Sequence, residues 1–457
     1  MTGPTPSEAG HAGLPTAVAR AAQALAVRLA RSVGDPAAVS WVHAGALLQH
    51  ASVTGLAREV DGAPPTVDRA YRSLERLAAA HPALQALCDP AVVPLWSTPI
   101  PDVEVAAISA LWQEHPPADP EGRPHGYQLG NAYQAVSEEA RKHRALAQTP
   151  RYVTDLLIDL GMRPAWTLWP ITDVRMIDPS CGTGHILVET LLAAYQVAAT
   201  GPHATWRNGS LTGIDHEAAV RTAVATVHGT DLDPYAALIA RYRLLTLTAA
   251  LLDVRLDQVP ADLTPRVKAA DALLDHSEPL LERSQYHAVI ANPPYVTPKT
   301  AEVRNAVRAA YPLVCHGKYA LSLPFHQLMT ELLVPGGWCA QLTANSFMKR
   351  EFGKPFIEKY LAKQDLRWVI DTSGAYIPGH GTPTVILVHR NQPPDGDTVP
   401  SVLGIRGEPR TPADPSQGFV WQDIARKVRA RLVEQWTSPR QPEQPTAAAP
   451  MPPALEQ

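Results

Sequence analysis

The chain has 457 residues, of which 45% are hydrophobic and 18% charged, which excludes global disorder and supplies a sizeable core. Lys and Arg number 40 against 44 Asp and Glu, so the formal charge of −4 excludes nucleic-acid binding by overall positive charge alone. The four cysteines are too far apart for a disulfide framework or a paired metal-binding motif, and no long apolar run occurs. We therefore expect a cytoplasmic protein with no metal and no membrane segment.

Proline is abundant, with 45 residues, and most of them fall at the borders of predicted elements. One cluster runs from Pro116 to Pro124, and the stretch from Pro439 to Pro453 cannot hold a helix or a strand. These clusters divide the chain into four predicted segments: a disordered start (1–13), a helical N-terminal region (14–125), an α/β domain (126–425), and a short helix with a proline-rich disordered tail (426–457).

The N-terminal region repeats apolar residues every three or four positions, as in Val18, Ala22, Leu25 and Leu29. The same spacing recurs in the stretch 39–48 and again between 71 and 87. This periodicity predicts several short helices. Because catalytic residue types do not cluster there, we interpret the region as a packing or docking module.

Short β-branched runs alternate with helical stretches from about residue 127 onward. The predicted strands are Val174–Asp178, Thr226–Asp231, His287–Asn292, Cys339–Thr343, Trp368–Asp371 and Thr384–His389. Alternation of this kind predicts a parallel sheet flanked by helices. Ligands of such sheets bind at the carboxyl ends of the strands, so the polar residues that end these strands form the candidate site.

The first strand ends in the sequence DPSCGTG, from Asp178 to Gly184, and an apolar helix follows it. Gly182 and Gly184 allow a tight turn and a close approach of the backbone to a ligand. The helix start adds free N–H groups and the positive end of its dipole. The turn opens with a carboxylate and lacks the spacing or the lysine of phosphate-binding loops, so it favours a ligand with a positive centre or an ammonium group.

The second strand ends at Asp231, and Asp233 with Pro234 predicts the start of a long helix. Because Asp233 caps that helix, Asp231 remains at the strand tip, where it can accept both hydroxyls of a ribose. Asp215 is a rival for this role because it lies closer in sequence to the glycine turn. We favour Asp231 for the ribose, because the helix cap Asp233 and its helix follow it directly. For either acid, the alternative is that it only caps a helix and contacts no ligand.

The strand HAVIA leads directly into Asn292, Pro293, Pro294 and Tyr295. The two prolines remove two N–H donors and stiffen the loop, which leaves the Asn292 side chain and the Pro293 carbonyl as fixed acceptors. Two acceptors fit a substrate amino group, which has two hydrogens to donate. Tyr295 adds an aromatic face on which a planar base can stack. The loop therefore predicts a binding site for an amine-bearing base.

Together these motifs resemble the class I S-adenosylmethionine-dependent methyltransferases that methylate the N6 amino group of adenine in DNA, which have a Rossmann-like sheet. The order of the motifs resembles the γ arrangement of that family. The resemblance implies S-adenosylmethionine as cofactor, double-stranded DNA with a flipped base as substrate, and direct transfer to the amine. The catalytic residues that it implies are Asn292, Pro293, Pro294 and Tyr295. The cofactor-binding residues that it implies are Thr149, Pro150, Asp178, Pro179, Ser180, Cys181, Gly182, Thr183, Gly184, Asp231 at the ribose and Asp271 at the adenine ring.

A closer resemblance covers roughly residues 127–421. The stretches HGTDLDPYAALIARYRL, NSFMKREFGKPFIEKYL and DTSGAYIPGHGTPTVIL resemble the methylase of the phage growth limitation, or type 2 BREX, defence systems. Those relatives are usually much longer, and their C-terminal part is expected to read DNA. The resemblance therefore implies a phage-defence or restriction-modification role, with a specificity subunit or other defence proteins acting in trans.

A basic run downstream begins with Lys349, Arg350 and Lys354. These three residues are candidates for contact with DNA phosphate, and a solvated helix face is the alternative. Phe347, just before them, is a candidate second stacking residue for the flipped base, and core packing explains it equally well. Cys181 is interpreted as a small packing residue, because methylation of an amine forms no adduct with the enzyme.

Two other classes of function share these motifs. NPPY also occurs in methyltransferases that act on the side-chain amide of protein glutamine or on guanine amines in RNA, which offer the same two hydrogens. A non-catalytic subunit of a defence complex is the other alternative, in which the fold binds cofactor or partner proteins without methylating. Transfer of labelled methyl groups to DNA, RNA or protein distinguishes these alternatives.

Overall fold

The computed structural model describes residues 14–117, 125–140, 147–201, 215–379 and 381–437. The predicted disordered start, 1–13, and the tail beyond residue 437 lie outside the described residues. The helices are α1 (Thr16–Val33), α2 (Asp35–Val53), α3 (Val67–Ala79), α4 (Asp102–Glu114), α5 (Tyr127–Val136), α6 (Arg151–Leu168), α7 (His185–Thr200), α8 (His216–Thr226), α9 (Pro234–Leu252), α10 (Ala301–Ala310), α11 (Ser322–Leu332) and α12 (Phe419–Thr437). The strands are β1 (Met176–Asp178), β2 (Val227–Asp231), β3 (Arg266–Ala269), β4 (Tyr286–Ala291), β5 (Leu333–Ala344), β6 (Asp365–Asp371), β7 (Thr384–Arg390) and β8 (Ser401–Leu403).

The N-terminal region is helical, as predicted, and α1, α3 and α4 pack against α2. α1 buries one stripe that includes Val18, Ala22 and Leu29. α2 is buried on nearly all sides because α1, α4 and α5 surround it. Leu87 lies beyond α3 in a separate short helix, Pro82–Cys88, because a proline interrupts the helical pattern there.

A buried histidine of α2 joins this region to the rest of the protein. His43 Nε2 lies 2.9 Å from the Leu129 carbonyl of α5, and Nδ1 lies 2.9 Å from the Tyr235 hydroxyl of α9. Since a carbonyl only accepts, Nε2 carries the proton and Nδ1 accepts from Tyr235. Burial lowers the pKa of His43 to about 4, so the ring is neutral. The N-terminal helices and the α/β part therefore share one core.

The strands form one sheet in the order β3-β2-β1-β4-β5-β7-β6-β8. β3, β2, β1, β4 and β5 are parallel, as predicted. The predicted parallel arrangement does not extend to β7, which runs antiparallel between β5 and β6. The described residues that join β6 to β7 contain no helix, so the chain turns back instead of crossing over the sheet.

The two strands that the sequence pattern did not predict are the edges of the sheet. β3 carries Arg266 and Lys268 and buries only Val267, and none of the three residues of β8 is fully buried. Both strands are short, with four and three residues, and neither contains the longer apolar run by which a strand is recognised. Both strands were therefore missed for the same reason.

Helices cover both faces of the sheet, and successive strand residues point to opposite faces. In β4, Ile290 joins a first core with α6, α7 and the N-terminal helices, whereas Val289 and Ala291 join a second core with α10 and α11. Among the described helices, α9 alone is long and apolar enough to cross a membrane. Most of α9 is buried inside the protein, so it is a core helix.

Candidate active site

A pocket opens at the carboxyl ends of β1, β2 and β4, which the parallel arrangement brings to one edge of the sheet. The predicted residues that line it are Thr149, Asp178, Pro179, Ser180, Cys181, Gly182, Asp231, Asp271, Asn292 and Pro294. The structure therefore brings together the glycine turn, three acids and the NPPY loop, which lie far apart in the sequence.

The glycine turn is held by backbone hydrogen bonds. Gly184 donates to the Cys181 carbonyl over 2.8 Å, and Cys181 donates to the Thr230 carbonyl of β2 over 2.9 Å. Gly182 and Gly184 have φ angles of 53° and 85°, a left-handed conformation that other residues adopt only at a cost. A Cβ at Gly184 would also lie 3.0 Å from the Ala240 Cβ of α9. The backbone geometry itself therefore requires glycine at this turn.

Asp178 opens the turn and is almost fully buried. Its Oδ1 accepts a hydrogen bond from the Ser180 N–H at 3.0 Å. Burial raises the pKa of Asp178 to about 8; the Ser180 hydrogen bond opposes that rise, and the Asp231 carboxylate adds to it. A cationic group beside Asp178 would offset the cost of burying its negative charge. The turn therefore fits a ligand that carries a sulfonium or an ammonium group.

Asp231 lies beside the turn, and backbone N–H groups hold both of its carboxylate oxygens. Oδ2 accepts from Gly182 and Oδ1 from Asp233, both at 2.8 Å. A carboxylate oxygen accepts more than one hydrogen bond, so Asp231 fixed in this way can also accept a ligand hydroxyl. Asp215 is exposed and lies away from the pocket, where it caps α8 by accepting from the Ala218 N–H at 3.0 Å.

Asp271 follows β3 and repeats this local geometry. Its Oδ1 accepts from the Leu273 N–H at 3.0 Å and from the Leu274 N–H at 3.2 Å. Its chain neighbours Ala270 and Ala272 line the pocket with it. Its contact with the adenine ring of a cofactor stays a prediction.

Asn292 connects the NPPY loop by hydrogen bonds to the segment that precedes α6. Its Nδ2 donates to Thr149 Oγ1 at 3.1 Å and to the Ala147 carbonyl at 3.3 Å. Its Oδ1 accepts from the Tyr295 hydroxyl at 2.5 Å. Because both amide hydrogens bond to the protein, the amide is fixed in orientation, and Oδ1 is the atom that can accept a hydrogen from a ligand.

Tyr295 and the two prolines complete the loop. Pro293 is buried and Pro294 lines the pocket. Burial raises the pKa of Tyr295 far above its ordinary value, so the hydroxyl stays protonated and donates to Asn292. The stacking role of the tyrosine ring stays a prediction.

The remaining predicted cofactor residues lie around the turn. Pro150 precedes α6 and does not line the pocket. Thr183 is buried, and its hydroxyl accepts from Gln148 Nε2 at 2.9 Å. Burial raises the pKa of the Cys181 thiol well above its ordinary value, so the thiol stays protonated. A protonated, buried Cys181 agrees with the packing role predicted for it.

Arg243 of α9 supports the glycine turn from the protein interior. Its fully buried guanidinium donates through Nη1 to the Thr183 carbonyl at 2.6 Å and through Nε to the His125 carbonyl at 2.9 Å. One side chain therefore connects the turn to the segment that precedes α5.

Phe347 and the three basic residues lie outside the pocket. Phe347 is 3% exposed in the second core, with its ring 5.2 Å from that of Phe356 in an edge-on contact. A ring covered in this way cannot stack on a base without unpacking, so the structure favours the packing alternative. Lys349, Arg350 and Lys354 are exposed on the segment after β5, and their contact with DNA phosphate stays a prediction.

The pocket also has an apolar wall, which no sequence motif indicates. α10 supplies Val303 and Val307, and the start of α11 supplies Leu321 and Phe325. These residues belong to no motif, and amphipathic helices are common, so the sequence carries no signal that assigns them to a ligand site.

A family model described as the Eco57I restriction-modification methylase matches residues 225–377. The matched segment runs from β2 through the NPPY loop to the end of β6. The adenine-specific methyltransferase PglX of Streptomyces coelicolor is 38% identical over 355 residues, which cover 68% of this chain and 28% of PglX. This chain is therefore homologous to PglX and spans less than a third of its length.

Two solved structures share the fold. The type IIL restriction-modification enzyme MmeI, in complex with DNA, matches with a TM-score of 0.55 and 14% identity over 88% of this chain and 60% of MmeI. The methyltransferase subunit of a type I restriction-modification system from Streptococcus thermophilus matches with a TM-score of 0.50 and 14% identity, over 81% of this chain and 71% of that subunit. These likenesses show the fold alone, a helix-flanked α/β sheet of the kind that the sequence predicted.

Proposed function

We propose that this chain, a homologue of PglX with an Eco57I-type methylase segment, transfers a methyl group from S-adenosylmethionine to the N6 amino group of adenine in DNA. The observation that carries the proposal is the Asn292 amide, whose nitrogen is held by Thr149 and Ala147 and whose oxygen is the acceptor. An acceptor fixed at a strand end beside a glycine turn suits an exocyclic amine next to a bound cofactor.

The pocket residues fit S-adenosylmethionine. Asp178, in which burial raises the pKa to about 8, would lie near the cationic methionine part of the cofactor. Asp231 would accept the ribose hydroxyls, and Asp271 with its neighbouring alanines would border the adenine ring. When bound, S-adenosylmethionine supplies an electrophilic methyl group on a positively charged sulfur.

Asn292 acts on the substrate amine. The lone pair of adenine N6 is delocalised into the ring, which makes the nitrogen a weak nucleophile. Hydrogen bonds from the amine to Asn292 Oδ1 and to the Pro293 carbonyl favour a tetrahedral nitrogen, and fixing these acceptors in advance lowers the barrier. Asn292 Oδ1 has two lone pairs, so it can accept from Tyr295 and from the amine together. The Tyr295 hydroxyl therefore positions the acceptor.

The DNA must present its adenine outside the duplex, at a cost of about a few kcal/mol that stacking on Tyr295 helps to offset. The exposed Lys349, Arg350 and Lys354 would contact backbone phosphates, which position DNA without reading its sequence. Because phosphate contacts carry no sequence information, we propose that a specificity subunit or another defence protein in trans reads the sequence. We place this activity in the cytoplasm, in phage defence or restriction-modification.

Methyl transfer tests the proposal directly. The purified chain, alone and with the products of neighbouring genes, is incubated with S-adenosylmethionine labelled in its methyl group and with DNA, RNA or protein. We expect label on adenine N6 in DNA. Label in RNA or protein instead would show that the proposed substrate class is wrong.

The variant Asn292→Ala tests the catalytic assignment. We expect kcat to fall by about 100- to 1,000-fold, because one preorganised hydrogen-bond partner of the transition state is lost, while cofactor affinity stays unchanged. Asn305→Ala changes an exposed asparagine of α10 and is the matched control, which keeps full activity. Equal labelling by Asn292→Ala and the native chain would contradict the assignment.

A further inference from the structure

The second core contains three potential metal ligands, which we call the histidine–cysteine cluster: His326 of α11, Cys339 of β5 and His389 of β7. All three are fully buried, and one ligand atom from each lies within 4.8 Å of the others. Cys339 and His389 are direct cross-strand neighbours in the antiparallel β5–β7 pair, and α11 packs on β5 with His326. The fold therefore assembles a ligand set that the sequence spacing did not indicate, since we expected no metal.

Gln341 determines where His326 carries its proton. Gln341 Nε2 donates to the Ser322 carbonyl at 2.9 Å, so its Oε1 is the atom that lies 2.6 Å from His326 Nδ1. An amide oxygen only accepts, so Nδ1 carries the hydrogen and Nε2 keeps a lone pair. This Nε2 is buried and has no hydrogen-bond partner among the described residues.

Thr330 does the same for His389. The Thr330 hydroxyl donates its one hydrogen to the His326 carbonyl at 3.0 Å, so it accepts from His389 Nε2, also at 3.0 Å. His389 Nδ1 therefore keeps a lone pair, and within the described part of the chain it is buried without a partner. Two ring lone pairs thus lie near the Cys339 thiol, which has one hydrogen to donate.

The two rings lie side by side, with their centroids 4.7 Å apart, and neither lone pair has a hydrogen-bond partner among the described residues. A single metal cation would bind both lone pairs and the sulfur together. We propose that His326 Nε2, His389 Nδ1 and Cys339 Sγ bind one thiophilic d¹⁰ cation, Zn²⁺ or Cu⁺.

The chemistry of the surroundings supports this assignment. Imidazole and thiolate are the ligands that these cations prefer, and metal-binding histidines use their other ring nitrogen for an orienting hydrogen bond, as Gln341 and Thr330 provide here. These cations bind cysteine as the thiolate, so binding must displace the proton of the Cys339 thiol. Binding then forms one metal–sulfur and two metal–nitrogen bonds and releases one proton. An ion bound by these three ligands would join α11 to β5 and β7, and Zn²⁺ would need a fourth ligand to complete its coordination.

Metal content of the full chain tests the proposal. The chain is produced in medium supplemented with zinc or with copper, dialysed under reducing conditions and measured by inductively coupled plasma mass spectrometry. About one ion per chain in either arm supports the site, and the arm that retains it identifies the ion. Far less than one ion per chain in both arms would overturn the proposal.

Matched variants localise the ion. Cys339→Ser and His389→Gln are expected to lose it, whereas Cys315→Ser and His228→Gln are expected to keep it, because both control residues are buried outside the cluster. Equal loss in the control variants would contradict the assignment.

One variant keeps all three ligands, so it tests the site even if a ligand variant fails to fold. Gln341→Leu removes the orienting hydrogen bond to His326, together with the one that Gln341 donates to the Ser322 carbonyl, and should weaken metal affinity by about 10- to 100-fold. Unchanged affinity would refute the role of this hydrogen bond in the site.

Addition of Co²⁺ to the metal-free native chain should give a thiolate-to-cobalt charge-transfer band, and its absence would count against Cys339 as a ligand. None of these measurements depends on methyl transfer.

Discussion

The pocket and the histidine–cysteine cluster hold their polar groups in different ways. At the pocket, Asp178, Asp231 and Asp271 each accept a hydrogen bond from the backbone N–H two residues later. In the cluster, His326 and His389 depend on partners from other elements that are far away in sequence. The pocket is therefore encoded locally at each strand end, whereas the cluster exists only after α11, β5 and β7 have packed.

Asp231→Ala gives the largest expected effect and separates the local turn from its ligand contact. Affinity for S-adenosylmethionine should fall by about 100-fold or more, because two hydrogen bonds to a charged group, worth about 1.5–3 kcal/mol each, are lost. Asp371→Ala is the matched control: Asp371 Oδ1 accepts from the Ser373 N–H at 2.8 Å in the same type of turn, outside the pocket. Isothermal titration calorimetry measures both variants. If Asp371→Ala lost as much affinity for S-adenosylmethionine as Asp231→Ala, the loss would come from disturbing a turn of this type and not from a ligand contact of Asp231.

Gly184→Ala tests whether the glycine turn depends on packing as well as on backbone conformation. We expect it to lower the free energy of unfolding by about 1–3 kcal/mol more than Gly201→Ala does. The two glycines have φ angles of 85° and 87°, but a Cβ at Gly201 would meet nothing within 4 Å. Urea unfolding of both variants measures the difference, and similar losses would mean that contact with α9 adds nothing.

The raised pKa of Asp178 should make the free energy of unfolding depend on pH. Its pKa in the folded, ligand-free chain is about 8, against 3.8 ordinarily, so between these values the folded chain holds one proton more than the unfolded chain. The stability from this group is full below pH 3.8 and is lost as the pH rises towards 8, by at most about 1.4 kcal/mol per pH unit. Urea unfolding across this range should show a slope that Asp178→Asn removes and that Asp173→Asn, at an exposed acid, retains. An unchanged slope in Asp178→Asn would refute the assignment.

Asp215→Ala gives the smallest expected effect. Loss of the α8 cap should cost about 1 kcal/mol of stability, because the Ala218 N–H loses its acceptor. Cofactor affinity should stay unchanged, since Asp215 does not line the pocket. A clear loss of affinity by calorimetry would restore Asp215 as the rival for the ribose.

The same contrast explains what the sequence could predict. Asp178, Asp231 and Asn292 each lie at the carboxyl end of a predicted strand and open a turn with its own local chemistry, so strand and site residue are recognised together. All six strands predicted from such patterns are present. These turns also carry the resemblance to adenine methyltransferases, and that resemblance implied the fold.

Features that arise from register or from edges could not be predicted in this way. β3 and β8 are short strands at the edges of the sheet, and the antiparallel insertion of β7 depends on which strands it meets. Cys339 and His389 become neighbours only through the β5–β7 register. Phe347 has the same sequence context whether it stacks on a base or packs in a core.

The Arg243 side chain has a consequence for protein engineering. Its hydrogen bonds to the carbonyls of Thr183 and His125 cross the predicted segment boundary near residue 125 and end at the glycine turn. A shortened chain that begins at Tyr127 would remove one of these acceptors and the α2 surface that covers α9. The N-terminal helices therefore cannot be replaced alone by those of a relative. A chimera between relatives would need to take α9 from the same protein as these helices.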